Sequence, residues 1–473
     1  MTVILDSRGD FNLQTLRRVA RAAECVEFSG RARERIEASR TAFLKLIESN
    51  PEKRIYGVTT GFGDGASEQL GAAARLELAR SAAPIEGVGF GSRLPPHVVR
   101  SLIFARLTNF VSGHSAVSLG TAQRVADMLD GRPLPMVPRF GQDSYGELAQ
   151  QYNLYHQLHG DEAEPKDANV LTNGSPCAAG LAGDVALDAR TRLSIATKAF
   201  ALAVEAGNMP FEPYDPVWKQ LFGDAHESRA IEELQLLCDG ARTQDRRSFQ
   251  APVSWRILVR VLGIGYRCVH EVEQAAATSL CAVTDNPVYI PPDENHADGY
   301  TLQSGGFHDC LAYHSMGWLN TAWVDLTVLA TRQIEQLQQS TVTGLPQNLT
   351  ASGTEPRTKY LATSSLNSSL DALEHATPTT IPLGGGGGQT DIIMPVFRAY
   401  NKACKVGENF DICMASLAAV ASQALWIGKR EPAPPLRPFL DVVREHFPPL
   451  DSTRNLGAEL EGLILALKRT TGT

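Results

Sequence analysis

The sequence predicts a mainly α-helical protein built around long helices. Apolar residues recur at helical spacing through most of the chain, and strand-like alternation is confined to short segments. Residues 254–280 and 307–340 keep the helical spacing for longer than an ordinary globular helix, which is typical of a long-helix bundle. We therefore expect an N-terminal helical region with loops that carry the candidate site over residues 1–190. A central bundle and C-terminal helices are expected over residues 191–473.

The shorter elements follow in order along the chain. Two amphipathic helices around a short break are predicted in residues 15–49, and further helices in residues 70–83, 95–113, 118–131, 180–208 and 456–470. A glycine-rich loop, IYGVTTGFGDGAS, comes after the first two helices, and a proline-rich turn, RPLPMVPRFG, comes before the central bundle. Residues 284–306, between the two long stretches, are predicted as a loop with at most a short hairpin.

Composition and charge limit the kinds of partner. The chain has 473 residues, of which 43% are hydrophobic and 20% charged, as in soluble globular proteins. Its net charge of −8 and its lack of a basic patch argue against nucleic acid and favour a small-molecule partner. No apolar run approaches about 18 residues, and the N-terminus lacks a basic-then-apolar signal pattern. The sequence thus predicts a cytoplasmic protein that binds neither nucleic acid nor membrane.

The cysteines, histidines and glycines give no sign of a metal or phosphate site. Eight cysteines lie far apart with no CxxC spacing, so we expect neither structural zinc nor a disulfide framework. The histidines lack ligand spacing and no HExxH motif occurs, so no metal is expected. The glycine run at residues 384–388 lacks the strand, lysine and hydroxyl context of a phosphate-binding loop, and we interpret it as a connector.

The strongest chemical signal is the loop IYGVTTGFG, residues 55–63. It places Tyr56 among glycines and threonines, and glycine permits close backbone approach and positive φ. A tyrosine held in such a loop can act as a general base once its phenol has lost a proton. Taken alone, the same pattern also fits a tyrosine that simply packs in a turn.

Several motifs, in order, resemble the histidine and phenylalanine ammonia-lyase family. They are VARAAECVEFSGRARERIEASR with IYGVTTGFG, then PKDANVLTNGS, TDNPV, SGGFH, GLPQNL and GGQTDIIM. Each motif alone is weak, but the ordered set covers nearly the whole chain. The resemblance implies a long antiparallel helix bundle of the fumarase/aspartase-like type. It also implies a homotetramer whose active sites combine loops from several subunits.

The same resemblance implies a reaction and assigns residues to it. Family members eliminate an α-amino group and a β-proton from an amino acid, and their electrophile is a methylidene-imidazolone made from an internal Ala-Ser-Gly. Tyr56 matches the tyrosine that takes the β-proton, and Gly63 of the same loop is expected to contact the substrate. Asn173 matches the asparagine that polarises the cofactor or binds substrate. Phe307 and Gln389 match a phenylalanine and a glutamine of two further site motifs, where both are expected to bind substrate.

The position of the internal electrophile departs from the family pattern. The family's Ala-Ser-Gly-Asp-Leu is matched by SYGEL, residues 144–148, so that Tyr145 stands where a serine must lose water. The similar stretch GLAGDVAL, residues 180–187, has alanine at the serine position and follows Asn173, in the wrong order. We therefore expect no methylidene-imidazolone and no other cofactor. Tyr145 becomes a candidate extra acid or a steric wall, with a packed loop aromatic as the alternative.

Substrate-recognition positions have changed as well. Where the family has a tyrosine and a carboxylate-binding arginine, this chain has Arg247 and Gln250. Both are candidate substrate-binding residues, with a surface arginine as the alternative for Arg247. His114 replaces a tyrosine, and it can exchange a proton near neutral pH or simply pack as a hydrogen-bonded residue. Ala82 and Thr390 replace a histidine and a glutamate, which argues against plain histidine, phenylalanine or tyrosine as substrate.

Three interpretations of the chemistry remain open. In the first, the leaving group is already good, as in the ergothionase branch, where a quaternary ammonium leaves as a neutral amine. In the second, Ser144, Tyr145 and Gly146 form a different imidazolone that carries a phenol. In the third, the scaffold performs a cyclisation or isomerisation, or only binds.

Of these, we predict a carbon–nitrogen lyase acting on an amino acid or betaine-like substrate by acid–base elimination or the reverse addition. Tyr56, Tyr145 and Asn173 are the predicted catalytic residues.

Overall fold

Helices dominate the part of the chain that the structure describes, which confirms the predicted mainly α class. The computed structural model describes residues 2–81, 87–160, 162–242, 246, 249–350, 358–384, 388, 390–452 and 454–471. The α-helices there are α1 (Leu13–Ala20), α2 (Gly30–Ser49), α3 (Ala72–Arg80), α4 (Pro96–Val111), α5 (Leu119–Asp127), α6 (Leu148–Tyr155), α7 (Asp167–Val170), α8 (Pro176–Gly207), α9 (Val217–Phe222), α10 (Ala225–Leu237), α11 (Val253–Arg256), α12 (Leu258–Cys281), α13 (Cys310–Leu337), α14 (Ser340–Thr343), α15 (Thr358–His375), α16 (Val396–Ile427), α17 (Arg437–His446) and α18 (Leu456–Thr471).

The strands are short and pair two by two. β1 (Thr2–Leu5) pairs in parallel with β2 (Cys25–Phe28), and β3 (Phe90–Arg93) pairs antiparallel with β4 (Pro138–Phe140). β5 (Val288–Ile290) and β6 (Tyr300–Leu302) form an antiparallel hairpin, as predicted for the segment between the long helices. β2 occupies the predicted break between the first two helices.

Helix starts follow local capping chemistry. The side chains of Asn12, Ser29 and Ser118 accept N–H groups in the first turns of α1, α2 and α5. Such caps satisfy donors that have no partner inside the helix, and each typically contributes about 1 kcal/mol. The predicted helix boundaries in this part of the chain therefore rest on identifiable side chains.

The chain divides into two compact units, each made of three segments. The first unit contains Met1–Leu187, Val272–Met316 and Pro378–Asn401, and the second contains Asp188–Glu271, Gly317–Thr377 and Lys402–Thr473. The division predicted near residue 190 remains a prediction about the organisation of the chain.

The first unit is organised around α4. Every side chain from Val98 to Val111 is buried, so this helix is enclosed on all faces. Two of the buried residues are arginines. Arg100 donates to the carbonyl of Val19 at 2.6 Å, and Arg106 lies behind the cavity described below.

The second unit is held by apolar packing and by buried hydroxyl pairs. The ring of Trp323 packs on Phe410 with centroids 4.5 Å apart. The hydroxyl groups of Thr331 and Ser365 lie 2.7 Å apart between α13 and α15. Arg192 adds a bidentate contact to the carboxylate of Asp411, at 3.0 and 3.1 Å.

One helix of the described chain, α16, is long and apolar enough to span a membrane by length and composition alone. In the described structure, 83% of its most apolar 18-residue window is buried. A buried apolar helix of this kind is typical of the core of a soluble protein.

Candidate active site

A cavity of about 730 Å³ in the first unit brings several predicted site residues together. Small-molecule sites typically measure about 300–1,000 Å³, so the cavity can hold such a ligand. Its described walls come from the loop around Tyr56, the turn around Tyr145, the connection between α7 and α8, and the segments near Phe307 and Asp391.

The loop of residues 55–63 is fixed by the core beneath it. Ile55 is buried in an apolar cluster with Phe43, Leu46, Val58, Ala116 and Tyr289. The Ile55 carbonyl accepts the N–H of Thr59 at 2.9 Å. In return, the Thr59 hydroxyl accepts the Ile55 N–H at 2.7 Å and donates to the Lys53 carbonyl at 2.6 Å. Tyr56 lies within this framework, half-buried on the cavity wall.

The Tyr56 hydroxyl has a defined position. The backbone N–H of Gly63 donates to its oxygen at 3.1 Å, and the Phe62 ring meets the tyrosine ring edge-on, with centroids 5.7 Å apart. Gly63 has a φ of +54°, a left-handed conformation that glycine adopts without steric cost. Tyr56 and Gly63, two of the predicted site residues, are therefore in direct contact.

Gly57 shows why glycine follows the tyrosine. Its φ is +65°, and a side chain there would overlap the Phe62 ring. A Cβ at this position would also lie 2.7 Å from the Asn169 side-chain nitrogen. Gly57 thus lets the Tyr56 loop lie directly against Phe62 and α7.

The turn of residues 144–146 forms the adjacent wall. The carbonyl of Ser144 accepts the N–H of Met394 at 2.9 Å, and its hydroxyl donates to the Gly146 carbonyl at 3.2 Å. Gly146 has a φ of +73°, and a Cβ there would lie 3.2 Å from the Phe307 ring. The turn is therefore fixed on one side by Met394 and packed on the other against Phe307.

Tyr145 is placed by packing. It is half-buried and lines the cavity. A Cβ on Gly384 would lie 2.8 Å from its ring, so the ring rests against the Gly384 backbone. The aromatic side chain thereby occupies the part of the cavity next to the turn.

Glu147 anchors the turn to a long helix. Its carboxylate oxygens accept the backbone N–H groups of Cys177 and Ala178, each at 2.6 Å, in the first turn of α8. Burial raises the pKa of Glu147 to about 8, against these two hydrogen bonds and the charge of Arg106. The carboxyl group is thus both a helix cap and a titratable group next to Tyr145.

Asn173, in the connection between α7 and α8, is held in place by several hydrogen bonds. It is buried, its N–H and side-chain amide both donate to the Asn169 carbonyl, at 3.0 and 3.4 Å, and it lines the cavity. Its own carbonyl accepts a hydrogen bond from Arg106, which also donates to Asp285 at 2.6 Å and Gln151 at 2.8 Å. A fully buried ion pair therefore fixes the backbone of Asn173.

The described wall of the cavity is aromatic and acidic. The aromatic residues Tyr56, Phe62, Tyr145 and Phe307 line it, as do the acidic residues Glu147 and Asp391. No lysine or arginine occurs among its described lining residues. Aromatic faces attract cations, so this wall suits a substrate group that carries positive charge.

The structure brings five of the predicted site residues to this cavity and places two others elsewhere. Tyr56, Gly63, Tyr145, Asn173 and Phe307 line it. The ring of His114 lies against β5, 2.9 Å from the carbonyl of Tyr289, and His114 is not among the described lining residues. Gln250 is exposed in the second unit and also does not line it. Arg247, Gln389 and Ala82 lie outside the described residues.

Several lining residues were missed by the motif analysis. Asn286 lies in the TDNPV motif and His308 in SGGFH, so both motifs carried a signal that was available. The His308 ring lies 3.3 Å from the Ile393 carbonyl through Nε2. The sequence indicated Glu147 as a site residue only weakly, because its contact with the start of α8 depends on the fold. Asp391 lies in the GGQTDIIM motif, from which only Gln389 and Thr390 were assigned.

The structure gives no support to metal binding in the part of the chain that it describes. No group of histidine, cysteine and acidic residues with ligand geometry occurs there. All eight cysteines are free in the structure.

Comparison with known proteins identifies the family of the chain. The family model described as aromatic amino acid lyase matches residues 11–163 and 149–445. A histidine ammonia-lyase from Symbiobacterium thermophilum is 27% identical over 94% of this chain and 92% of its own length.

Two solved structures share the fold. A tyrosine aminomutase from Streptomyces globisporus superposes with a TM-score of 0.89 at 22% identity, covering 99% of this chain and 97% of that one. Ergothionase from Treponema denticola, an ergothioneine-degrading enzyme, superposes with a TM-score of 0.86 at 18% identity, covering 100% and 99%.

Proposed function

Because the chain belongs to the aromatic amino acid lyase family, whose model matches most of its length, we propose a carbon–nitrogen elimination with Tyr56 as the base. The family supports a carbon–nitrogen lyase or an aminomutase-type enzyme that acts on an amino acid. We propose a more specific substrate and mechanism than the family alone supports. These are an amino acid or betaine-like substrate and an acid–base reaction without an internal methylidene-imidazolone.

One observation carries the proposal: the Tyr56 hydroxyl is held on the cavity wall by the Gly63 N–H, 3.1 Å away. In the elimination, the deprotonated phenol takes the β-proton of the substrate. The carbon–hydrogen electron pair forms the double bond, and the carbon–nitrogen pair leaves with the amine. The Gly63 N–H offers the phenolate oxygen a hydrogen bond before that proton arrives.

The residues of the turn do not fit the family's electrophile. Forming the methylidene requires the middle residue to lose a β-hydroxyl as water, and Tyr145 has no β-hydroxyl. The hydroxyl of Ser144 belongs to the preceding residue and donates to the Gly146 carbonyl. We therefore assign no step to a methylidene-imidazolone in this protein.

Without an electrophile, the leaving group decides which substrates can react. Ammonia is a poor leaving group from an unactivated α-amino acid, whereas a quaternary ammonium departs as a neutral amine. The aromatic rings of the cavity and Asp391 favour such a cation, and no described lining residue is a lysine or arginine. We therefore favour a betaine-like substrate, with the amide of Asn173 available to its carboxylate. Arg247, Gln250 and Gln389 are retained as proposed substrate contacts.

The proposal extends to assembly and location. We propose a cytoplasmic homotetramer with shared active sites, acting on a small molecule, as the family resemblance implies. Size-exclusion chromatography with light scattering tests the oligomeric state.

A substrate screen with an intact-mass measurement tests the chemistry. The purified protein is incubated with histidine, phenylalanine, tyrosine and ergothioneine, and the ultraviolet absorbance of an α,β-unsaturated acid is followed. We expect product from ergothioneine or a related betaine and none from the primary amino acids. We also expect an intact mass equal to that of the encoded chain. Loss of water from that mass, with near-ultraviolet or visible absorbance, would show that an internal imidazolone forms and overturn the proposal.

A further inference from the structure

Asn169 contacts three of the residues that form or support the cavity, namely Gly57 of the Tyr56 loop, Asn173 and Asn286. It lies on α7, and its side chain is fully buried. We infer that Asn169 is a positioning residue, whose side chain sets the Tyr56 loop and Asn286 in register for the elimination. This inference rests on the proposed function.

The first contact is with the loop that carries Tyr56. A Cβ placed on Gly57 would lie 2.7 Å from the Asn169 side-chain nitrogen, so the amide lies directly against the backbone of the residue after Tyr56. The loop can approach this closely only because Gly57 has no side chain. Movement of the amide would therefore be transmitted to Tyr56.

The second contact is with Asn286, which lines the cavity. The Asn169 amide donates to the Asn286 carbonyl at 3.1 Å, and the Asn286 side-chain oxygen accepts the Ser304 N–H at 3.0 Å. The third contact is with Asn173, four residues further along the chain, whose N–H and side-chain amide both donate to the main-chain carbonyl of Asn169. The side chain of Asn169 thus joins the Tyr56 loop to Asn286, and its main chain supports Asn173.

The side-chain oxygen of Asn169 bears on whether the residue positions the site or only fills space. The side-chain oxygen of Asn169 is buried, and no described residue donates a hydrogen bond to it. A buried acceptor without a donor destabilises a fold, and leucine would remove that cost while giving up the hydrogen bond to the Asn286 carbonyl. Because these two effects oppose each other, stability alone does not favour asparagine at this position, which is typical of a residue that serves the site.

The test replaces Asn169 by Leu and observes Tyr56 without any substrate. 3-Fluorotyrosine is introduced at position 56, and its fluorine resonance is recorded together with the melting temperature. We expect one sharp resonance in the parent protein. In Asn169→Leu we expect a shifted, broadened or split resonance, with a melting temperature close to that of the parent protein.

The matched control is Asn320→Leu in the second unit. Asn320 is also buried, and its side-chain oxygen also lacks a partner among the described residues. This change should leave the fluorine resonance unaltered. If Asn169→Leu does not fold, Asn169→Ala removes the same amide and is measured in its place.

An unaltered resonance in the folded Asn169 variant overturns the inference. So does a resonance that changes only when the melting temperature falls, because that pattern indicates a structural role alone. Because no substrate is used, either result is independent of whether the elimination itself occurs.

Discussion

The loop of residues 55–63 and the turn of residues 144–146 each present a phenol to the same cavity, but they hold it differently. The Tyr56 oxygen accepts the Gly63 N–H, whereas the Tyr145 ring is placed by contact with the Gly384 backbone. A hydrogen bond restricts the position of the phenol oxygen, whereas packing restricts the volume that the ring fills. The comparison indicates that Tyr56 supplies chemistry and that Tyr145 chiefly supplies a wall.

The two segments are also anchored differently. The loop is closed by the hydroxyl of Thr59, which stays neutral over the working pH range. The turn is connected to α8 through the carboxyl group of Glu147, which titrates. We therefore expect the geometry of the loop to be insensitive to pH and that of the turn to be sensitive.

The largest expected effect comes from removing the Tyr56 hydroxyl. Tyr56→Phe keeps the ring contact with Phe62 but removes the base, so the turnover rate should fall by about 10²–10⁴-fold, the usual contribution of a general base. Single-turnover kinetics on the substrate found in the screen measures this. Tyr300→Phe, which removes a phenol from β6, is the control and should retain full activity. Undiminished turnover in Tyr56→Phe would contradict the assigned role.

The next largest effect is the loss of stability on replacing glycines of the loop. Gly57→Ala combines a positive φ with overlap on the Phe62 ring, and we expect it to reduce the free energy of unfolding by about 3 kcal/mol. Gly63→Ala has a similar φ but open space around its Cβ, so only about 1 kcal/mol should be lost. Urea denaturation of both variants measures the difference. Equal losses would mean that backbone conformation alone, and not contact with Phe62, dictates glycine at Gly57.

The contacts of the loop could be predicted from the sequence more fully than those of the turn. For the loop, the motif itself contains both partners of the decisive hydrogen bond, so Tyr56 and Gly63 could be predicted together. For the turn, the sequence revealed the substitution at Tyr145 but not its surroundings. The contacts with Met394 and Gly384 join segments far apart in the chain, and no local pattern specifies such pairing.

The fold shows the same limit. Helices with strong apolar periodicity were predicted because their signal is local. The strand β2 was missed in the break after α1 because its partner, β1, lies at the start of the chain. The roles assigned to His114 and Gln250 by motif position stay predictions, and neither residue is among the described lining residues of the cavity.

The anchor at Glu147 predicts a pH dependence of stability. Its pKa is raised by burial from 4.5 to about 8, so the folded protein favours the protonated form more strongly than the unfolded chain does. The resulting stabilisation is complete below about pH 4.5 and is lost as the pH rises through about 8. Glu147→Gln should remove this slope, which is on the order of a few kcal/mol.

Urea denaturation at pH 5.5 and pH 8.5 measures the slope, with Glu37→Gln, an exposed change on α2, as the control. The parent and the control should both lose stability between the two pH values, and Glu147→Gln should lose less. Parallel curves for all three proteins would show that the turn is no more sensitive to pH than the loop.

The smallest expected effect concerns the second phenol. If Tyr145 acts as a wall, Tyr145→Phe keeps the ring against Gly384 and should change the turnover rate by less than about threefold, since no reacting proton is lost. Tyr145→Ala removes the wall and should chiefly weaken substrate binding, raising KM more than it lowers kcat. Steady-state kinetics of the pair separates the two roles. A hundredfold fall in kcat for Tyr145→Phe, on the order of a lost proton donor, would make Tyr145 the acid that serves the departing amine and erase the difference between the two phenols.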